Sequence, residues 1–178
     1  MKRILIVVDY QNDFVDGALG FEGAEKLDKG IASLMEQYAK DKDGVIFCTF
    51  DTHDKNYLNT QEGRNLPVEH CIYGTDGWEL YGEVRLAEIM YPMKCTRITK
   101  NTFGSIELAG RLDRFQNVES ITLVGVVTNM CVISNAVMAK SIHPEAKIII
   151  KKDLVGSFDK ELHQKALDVM ESMQMIIE

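Results

Sequence analysis

Several short runs in this sequence are apolar or β-branched at nearly every position, and this pattern constrains the fold more than any other feature. They cover residues 4–8, 45–50, 95–99, 121–124 and 147–150, with a sixth short run at 175–177. A strand with one wet face would carry polar residues at every second position. Continuous apolar runs therefore predict strands covered on both faces, as in a parallel sheet.

Segments with apolar residues at helical spacing separate these strands. They contain Ile31, Leu34, Met35 and Tyr38 after the first run, Ile133, Ala136 and Val137 after the fourth, and Leu162, Ala166, Leu167, Met170 and Met173 after the fifth. The alternation predicts an α/β fold: a three-layer, doubly wound (Rossmann-like), mainly parallel sheet flanked by helices. In such folds ligands bind beyond the carboxyl ends of the strands, at a topological switch point.

The length of the chain indicates the number of domains, and its net charge limits the classes of molecule that it can bind. The chain has 178 residues, which predicts one domain over 1–178, and its formal net charge of −7 provides no positive field for nucleic acid or anionic lipid. The apolar run after residues 1–3 is too short for a secretory signal or a membrane span. Four cysteines without CxxC spacing indicate reduced thiols and a cytoplasmic protein.

The segment from residue 51 to residue 92 shows no sustained apolar periodicity. Connections of this length without secondary structure are uncommon in compact domains and are usually functional. We therefore expect this segment to be a long loop that contributes to the functional site.

A carboxylate and an amine stand at the ends of two predicted strands. Asp9 directly follows the first strand and Lys100 follows the third, so both are expected at the crevice. A lysine there can lower the pKa of a neighbouring acid or thiol. Taken singly, Asp9 is equally well a turn or capping carboxylate, and Lys100 a solvated side chain.

The fourth strand leads into a cysteine. Gly125 permits a tight turn, and Thr128 or Asn129 can cap a helix whose first turn contains Cys131. A helix N-terminus lowers the pKa of a thiol, and its free N–H groups can receive an oxyanion. The alternative is that Cys131 is a small buried apolar residue.

The second strand ends in residues suited to a metal ion. Asp51 and His53 are separated by one residue, so on an extended chain their side chains point to the same side, and His70 can return from the loop. One carboxylate and two imidazoles suit zinc, iron or manganese. The alternative is a hydrogen-bonded turn with an exposed histidine.

Three separated segments together resemble the isochorismatase-like cysteine hydrolase family. They are residues 8–14, residues 100–105 and the helix containing Cys131, in the family's order and at similar spacing. The resemblance implies that Asp9, Lys100 and Cys131 form a catalytic triad.

The same resemblance implies roles for these residues. Asp9 would take the Cys131 proton, and Lys100 would keep Asp9 anionic and stabilise the thiolate. Backbone N–H groups near Val127 and Cys131 would hold the oxyanion. The resemblance further implies a cis peptide bond between Val126 and Val127.

Within the family, the metal residues resemble those of the nicotinamidase and pyrazinamidase branch. The residues that carry this resemblance are Asp51, His53, His70, Cys71, Gly74 and Thr75. The branch often has a further histidine where this chain has Asn59, and Glu62 resembles the acidic replacement seen in some members. We therefore expect one divalent metal, zinc first and iron or manganese as alternatives, held by Asp51, His53, Glu62 and His70.

The branch implies conversion of nicotinamide, and of pyrazinamide, to the acid and ammonia through a thioester. The partner would be a small aromatic amide, with ring contacts expected from Phe14, Leu19, Trp78 and Phe103. Members of the family commonly self-associate, so a homo-oligomer is expected.

Three other functions remain open from the residues. A different cysteine amidohydrolase of this fold would act on an N-carbamoyl or ureido substrate. Metal-bound hydroxide could attack directly, with Cys131 a bystander. A noncatalytic flavodoxin-type binding domain is disfavoured, because no Gly-rich phosphate loop follows the first strand.

Overall fold

A six-stranded parallel sheet forms the centre of the computed structural model, which describes residues 1–178. Its strands are β1 (Lys2–Val8), β2 (Gly44–Asp51), β3 (Cys95–Lys100), β4 (Val118–Val126), β5 (Lys147–Gly156) and β6 (Ile176–Ile177). The spatial order is β3-β2-β1-β4-β5-β6, and every neighbouring pair is parallel. The predicted α/β fold is confirmed, with a strand at each of the six apolar runs.

Seven α-helices flank the sheet. They are α1 (Asn12–Val15), α2 (Asp28–Lys40), α3 (Gln61–Asn65), α4 (Gly82–Met90), α5 (Ile106–Leu112), α6 (Ile133–Ile142) and α7 (Lys160–Ser172). A π-helical turn, Thr128–Val132, joins β4 to α6. No helix is long and apolar enough to cross a lipid bilayer.

The sheet separates two hydrophobic cores, which explains the continuous apolar runs. From β1, Leu5 and Val7 pack into the core on the face covered by α2 and α4. Ile4, Ile6 and Val8 pack into the core beneath α5, α6 and α7. All five side chains are fully buried, and complete burial of a side chain of this size contributes about 1.5–3 kcal/mol.

The segment between β2 and β3 is more ordered than predicted. It contains α3 and α4 together with two short 3-10 turns, so the expectation of a long loop is wrong for residues 82–90. Helix α4 buries Val84 and Ala87 but exposes Leu86 and Ile89, which blurs the apolar periodicity. Its start is held from α2, since the Asp28 carboxylate accepts the first free N–H groups of the helix.

The strand order places the functional crevice. The chain runs outward from β1 through β2 to β3 and then crosses back to β4 on the other side of β1, which opens a crevice between the carboxyl ends of β1 and β4. Asp9 follows β1, and the turn bearing Cys131 follows β4. Asp51 and Lys100 are the last residues of β2 and β3, so the same edge of the sheet carries all four.

Candidate active site

An acid, an amine and a thiol meet at this edge of the sheet. Lys100 Nζ lies 2.5 Å from Asp9 Oδ2 and 3.4 Å from Cys131 Sγ. The exposed fractions of Asp9, Lys100 and Cys131 are 0%, 7% and 6%. Thr49 on β2 donates its hydroxyl to Asp9 Oδ1 at 2.7 Å, while Oδ2 accepts no hydrogen bond beyond its ion pair with Lys100. The structure thus brings together the three residues that the sequence analysis joined.

Burial controls the protonation of this cluster. Burial raises the pKa of Asp9, and it raises the pKa of Cys131 well above the usual thiol value, although the Lys100 charge opposes both shifts. Burial acting alone would lower the pKa of Lys100, but the acidic groups around it, Asp9 foremost, together outweigh burial and raise that pKa. Cys131 therefore rests as a thiol, opposite to the ionised state expected for a helix N-terminus, and it needs a base.

The turn after β4 differs from the predicted capped helix. Neither Thr128 nor Asn129 caps it, because the Thr128 hydroxyl donates to the Gly156 carbonyl and the Asn129 amide oxygen accepts from Ser157. Gly125 has φ of 106°, a conformation that side chains disfavour, and a Cβ there would overlap the backbone of β1.

The backbone beside Cys131 has the geometry that the resemblance implies. The peptide bond between Val126 and Val127 is cis. Val127 is buried, and its N–H group donates no hydrogen bond within the chain. A buried free donor is uncommon, and here it is available to a ligand oxygen.

At the end of β2, the imidazoles of His53 and His70 both lie close to one carboxylate oxygen of Asp51. Asp51 Oδ2 lies 3.1 Å from His53 Nε2 and 3.2 Å from His70 Nε2. One ligand atom from each residue lies within 4.8 Å of the others, and all three residues are buried. His70 Nδ1 is 2.8 Å from the Val68 carbonyl, an acceptor, so Nδ1 carries a proton, and Nε2, which faces Asp51, is the nitrogen that a metal ion would take in exchange for its proton. This donor set fits a divalent transition-metal ion.

The charges around this triad also suit a cation. Burial would raise the pKa of Asp51, but hydrogen bonds from His53 and His70 and the charge of Lys100, 3.6 Å away, hold it well below its usual range. Glu62 Oε1 lies 3.9 Å from His53 Nε2 but outside the 4.8 Å set. Burial and the Asp51 charge raise the pKa of Glu62. Glu62 is thus a neighbour of the triad, and its place as a fourth ligand stays a prediction.

One cavity of about 670 Å³ is lined by the thiol and by two residues of the metal triad. Cys131, Asp51 and His70 line it on the polar side. The apolar residues that line it are Phe14, Ala18, Leu19, Leu66, Phe103, Val127, Met130 and Phe158. Three of the four predicted ring contacts, Phe14, Leu19 and Phe103, are therefore on its wall.

Trp78, the fourth predicted ring contact, lies outside this cavity, and that prediction is wrong. Its ring is buried against Phe50 and Tyr73, with centroids 5.1 Å and 4.9 Å away. Its indole N–H donates to the Thr52 hydroxyl at 2.9 Å. Trp78 thus packs against the end of β2, where its contacts with Phe50 and Thr52 flank Asp51 of the metal triad.

Residues 3–178 match the isochorismatase domain family. The chain belongs to the isochorismatase family. A curated relative from Bacillus subtilis (strain 168), described as the uncharacterized isochorismatase family protein PncA, is 33% identical, and the match covers 94% of this chain and 93% of the relative.

Three solved structures resemble this isochorismatase-family chain over nearly its whole length. Nicotinamidase/pyrazinamidase PncA from Bacillus subtilis is 30% identical with a TM-score of 0.89, covering 99% of both chains. Pyrazinamidase/nicotinamidase from Streptococcus mutans is 30% identical with a TM-score of 0.86, covering 99% and 100%. Pyrazinamidase of Pyrococcus horikoshii in complex with zinc is 27% identical with a TM-score of 0.83, covering 100% and 99%.

Several residues of this isochorismatase-family site escaped the sequence analysis. Asn135 donates to the Cys131 carbonyl at 2.8 Å, and its amide oxygen accepts the Ser105 N–H at 3.0 Å. Its i+4 spacing from Cys131 on a helical segment was the available signal. Leu66 and Phe158 offered no signal, because they come from irregular segments that only the fold brings together.

Proposed function

We propose that this protein is a metal-dependent cysteine amidohydrolase that converts nicotinamide, and pyrazinamide, to the acid and ammonia. The observation that carries the proposal is the buried contact of Lys100 with both Asp9 and Cys131, beside a cavity that Cys131 shares with Asp51 and His70 of the metal triad. The similar Bacillus subtilis and Streptococcus mutans structures, described as nicotinamidases and pyrazinamidases, support this substrate class.

The first half of the proposed reaction makes a thioester on Cys131. Asp9 accepts the Sγ proton, and a raised pKa makes its carboxylate a stronger base than a solvated one. Sγ bonds to the carboxamide carbon, whose C=O electron pair moves onto oxygen. The N–H groups of Val127 and Cys131 receive that oxyanion. When the C=O bond re-forms, the C–N bond breaks, and Asp9 returns its proton to the leaving ammonia.

The second half hydrolyses the thioester. Asp9 takes a proton from a water molecule while the water oxygen attacks the thioester carbon. The C–S bond then breaks. The proton on Asp9 returns to Sγ, which restores the resting thiol and releases the carboxylic acid. Throughout, Lys100 remains a cation that offsets the negative charge passing between Asp9 and Cys131.

The metal triad lies where it can orient the substrate ring. Asp51, His53 and His70, with Glu62 beside them, would hold a divalent ion, which would supply a Lewis acid for the ring nitrogen. Zinc is our first choice because the similar Pyrococcus horikoshii pyrazinamidase is described in complex with zinc.

We further propose one hydrolase domain over residues 1–178 that acts in the cytoplasm as a homo-oligomer. The four cysteines are free thiols, which supports a reducing compartment.

Removing the metal is expected to lower ammonia release from nicotinamide by roughly 100-fold, because a misplaced ring loses its alignment with the thiol. The measurement is ammonia release after dialysis against chelator, with activity restored by added Zn²⁺, Fe²⁺ or Mn²⁺. An N-carbamoyl amino acid serves as the comparison substrate. Unchanged nicotinamide turnover by metal-free protein, or faster turnover of the N-carbamoyl compound, contradicts the proposal.

The mouth of the cavity is expected to set substrate affinity. Phe158 is 58% exposed at that mouth, so Phe158→Ala should raise the KM for nicotinamide about tenfold and change kcat much less. Ile106→Ala, at an exposed residue outside the cavity, is the matched control. Steady-state kinetics checks this, and an unchanged KM for Phe158→Ala would exclude ring contact at that wall.

A further inference from the structure

The turn after β1 contains a fully buried amide that binds the backbone of a metal-triad residue. Gln11 is 0% exposed. Its Oε1 accepts the Asp51 N–H at 2.8 Å, and its Nε2 donates to the Asp51 carbonyl at 2.9 Å and to the Trp78 carbonyl at 2.8 Å. Both backbone groups of Asp51 are thus held by one side chain.

Gln11 takes the place of a missing strand neighbour. β1 pairs with β2 only as far as Val8 opposite Thr49, so Asp51 lies past the last pair on that side. On its other side Asp51 still pairs with Lys100. A primary amide carries both a donor and an acceptor, which is what an unpaired strand residue requires.

Asp13, in the first turn of α1, holds the segment that contains His70. Asp13 Oδ2 accepts the Cys71 N–H at 2.7 Å, and Oδ1 accepts the Ala18 N–H at 3.3 Å. Cys71 has φ of 46°, a left-handed conformation that a non-glycine residue keeps only where its surroundings enforce it. The backbone at Gly77 passes so close that a Cβ there would overlap the Asp13 carboxylate.

We propose that Gln11 and Asp13 are positioning residues that set the separation of the Asp51 carboxylate and the His70 imidazole. The two ligand residues come from a strand end and a distant loop, and the short segment from Asp9 to Asp13 is bonded to both. The inference rests on the proposed function, because it assigns these bonds to the metal centre of that enzyme.

The test compares Gln11→Glu and Asp13→Asn with wild type in the metal-free, folded state. Glutamate at position 11 keeps the length but turns the donating end into an acceptor that faces two carbonyl oxygens. Asparagine at position 13 can accept only one of the two N–H groups. Zn²⁺ affinity is measured by competition with a chromophoric chelator, and ligand geometry by the visible absorption spectrum of the Co²⁺-loaded protein.

Each variant is expected to weaken Zn²⁺ binding roughly 10–100-fold and to change the Co²⁺ spectrum. The controls are Gln164→Glu and Asp153→Asn, which make the same chemical changes at exposed residues and should leave both measurements at wild-type values. Circular dichroism establishes that each protein is folded. If Gln11→Glu fails to fold, Gln11→Met keeps the length without a bonding group and is measured instead.

Wild-type Zn²⁺ affinity and Co²⁺ spectra in the folded variants would overturn the inference and leave the proposed function intact. Wild-type protein that binds Zn²⁺ but does not hydrolyse nicotinamide would overturn the function alone. Wild-type protein that binds neither metal would overturn both the metal centre and the inference.

Discussion

Cys131→Ala is expected to lower ammonia release from nicotinamide by roughly 10⁴-fold or more, because no other group in the cavity can form the thioester. Cys131 is the only cysteine whose sulfur accepts a hydrogen bond from Lys100, and the only cysteine on the cavity wall. Ammonia release under saturating nicotinamide measures the effect. Mass spectrometry of quenched wild-type protein should show the acyl group on Cys131.

The matched control is Cys95→Ala, at a half-buried cysteine that begins β3, at the amino-terminal edge of the sheet. It should retain wild-type turnover. A rate for Cys131→Ala close to that of the control would mean that a metal-bound hydroxide attacks the amide directly and that the thiol is a bystander. Absence of an acylated Cys131 peptide would point the same way.

Asp9→Asn is expected to reduce kcat by roughly 10³-fold, since it removes the base while keeping nearly the same shape. The resting thiol depends on that base, because burial raises the pKa of Cys131 well above its usual value. The substitution also removes the anion 2.5 Å from Lys100, leaving Asp51 at 3.6 Å as the nearest carboxylate. Steady-state kinetics and a thermal unfolding midpoint, expected to fall, check both consequences.

Asp168→Asn, at an exposed residue on α7, makes the same change outside the site and should alter neither measurement. A folded Asp9→Asn protein with kcat within about twofold of wild type would show that another group accepts the thiol proton. In that case the short contact between Asp9 and Lys100 would be structural only.

The strand ends were predictable because their signals are local. Continuous apolar runs report burial on both faces, and the residue after such a run lies at the crevice whatever the rest of the chain does. Asp9, Lys100 and Cys131 were found in this way and then linked by the family resemblance. Trp78 was misplaced because an aromatic residue in an irregular segment has the same composition whether it lines a cavity or packs behind one.

The start of α4 shows a second limit of prediction from sequence, which concerns helix capping. Its first N–H groups are satisfied by Asp28, which lies 55 and 56 residues earlier on α2, and not by a residue next to the helix. Capping signals read along a sequence assume neighbours in the chain, so a cap supplied by another helix leaves no local trace.

The sequence by itself determined the parallel sheet, the edge at which the site lies and the kinds of side chain found there, because periodicity and residue type act over a few positions. Only the tertiary structure decided the raised pKa of Cys131 and the contribution of Leu66 and Phe158 to the cavity lining. The same is true of the hydrogen bonds from the Gln11 side chain to the backbone of Asp51. These properties depend on desolvation and on contacts between distant segments of the chain. Both arise only when folding buries those segments together, away from water.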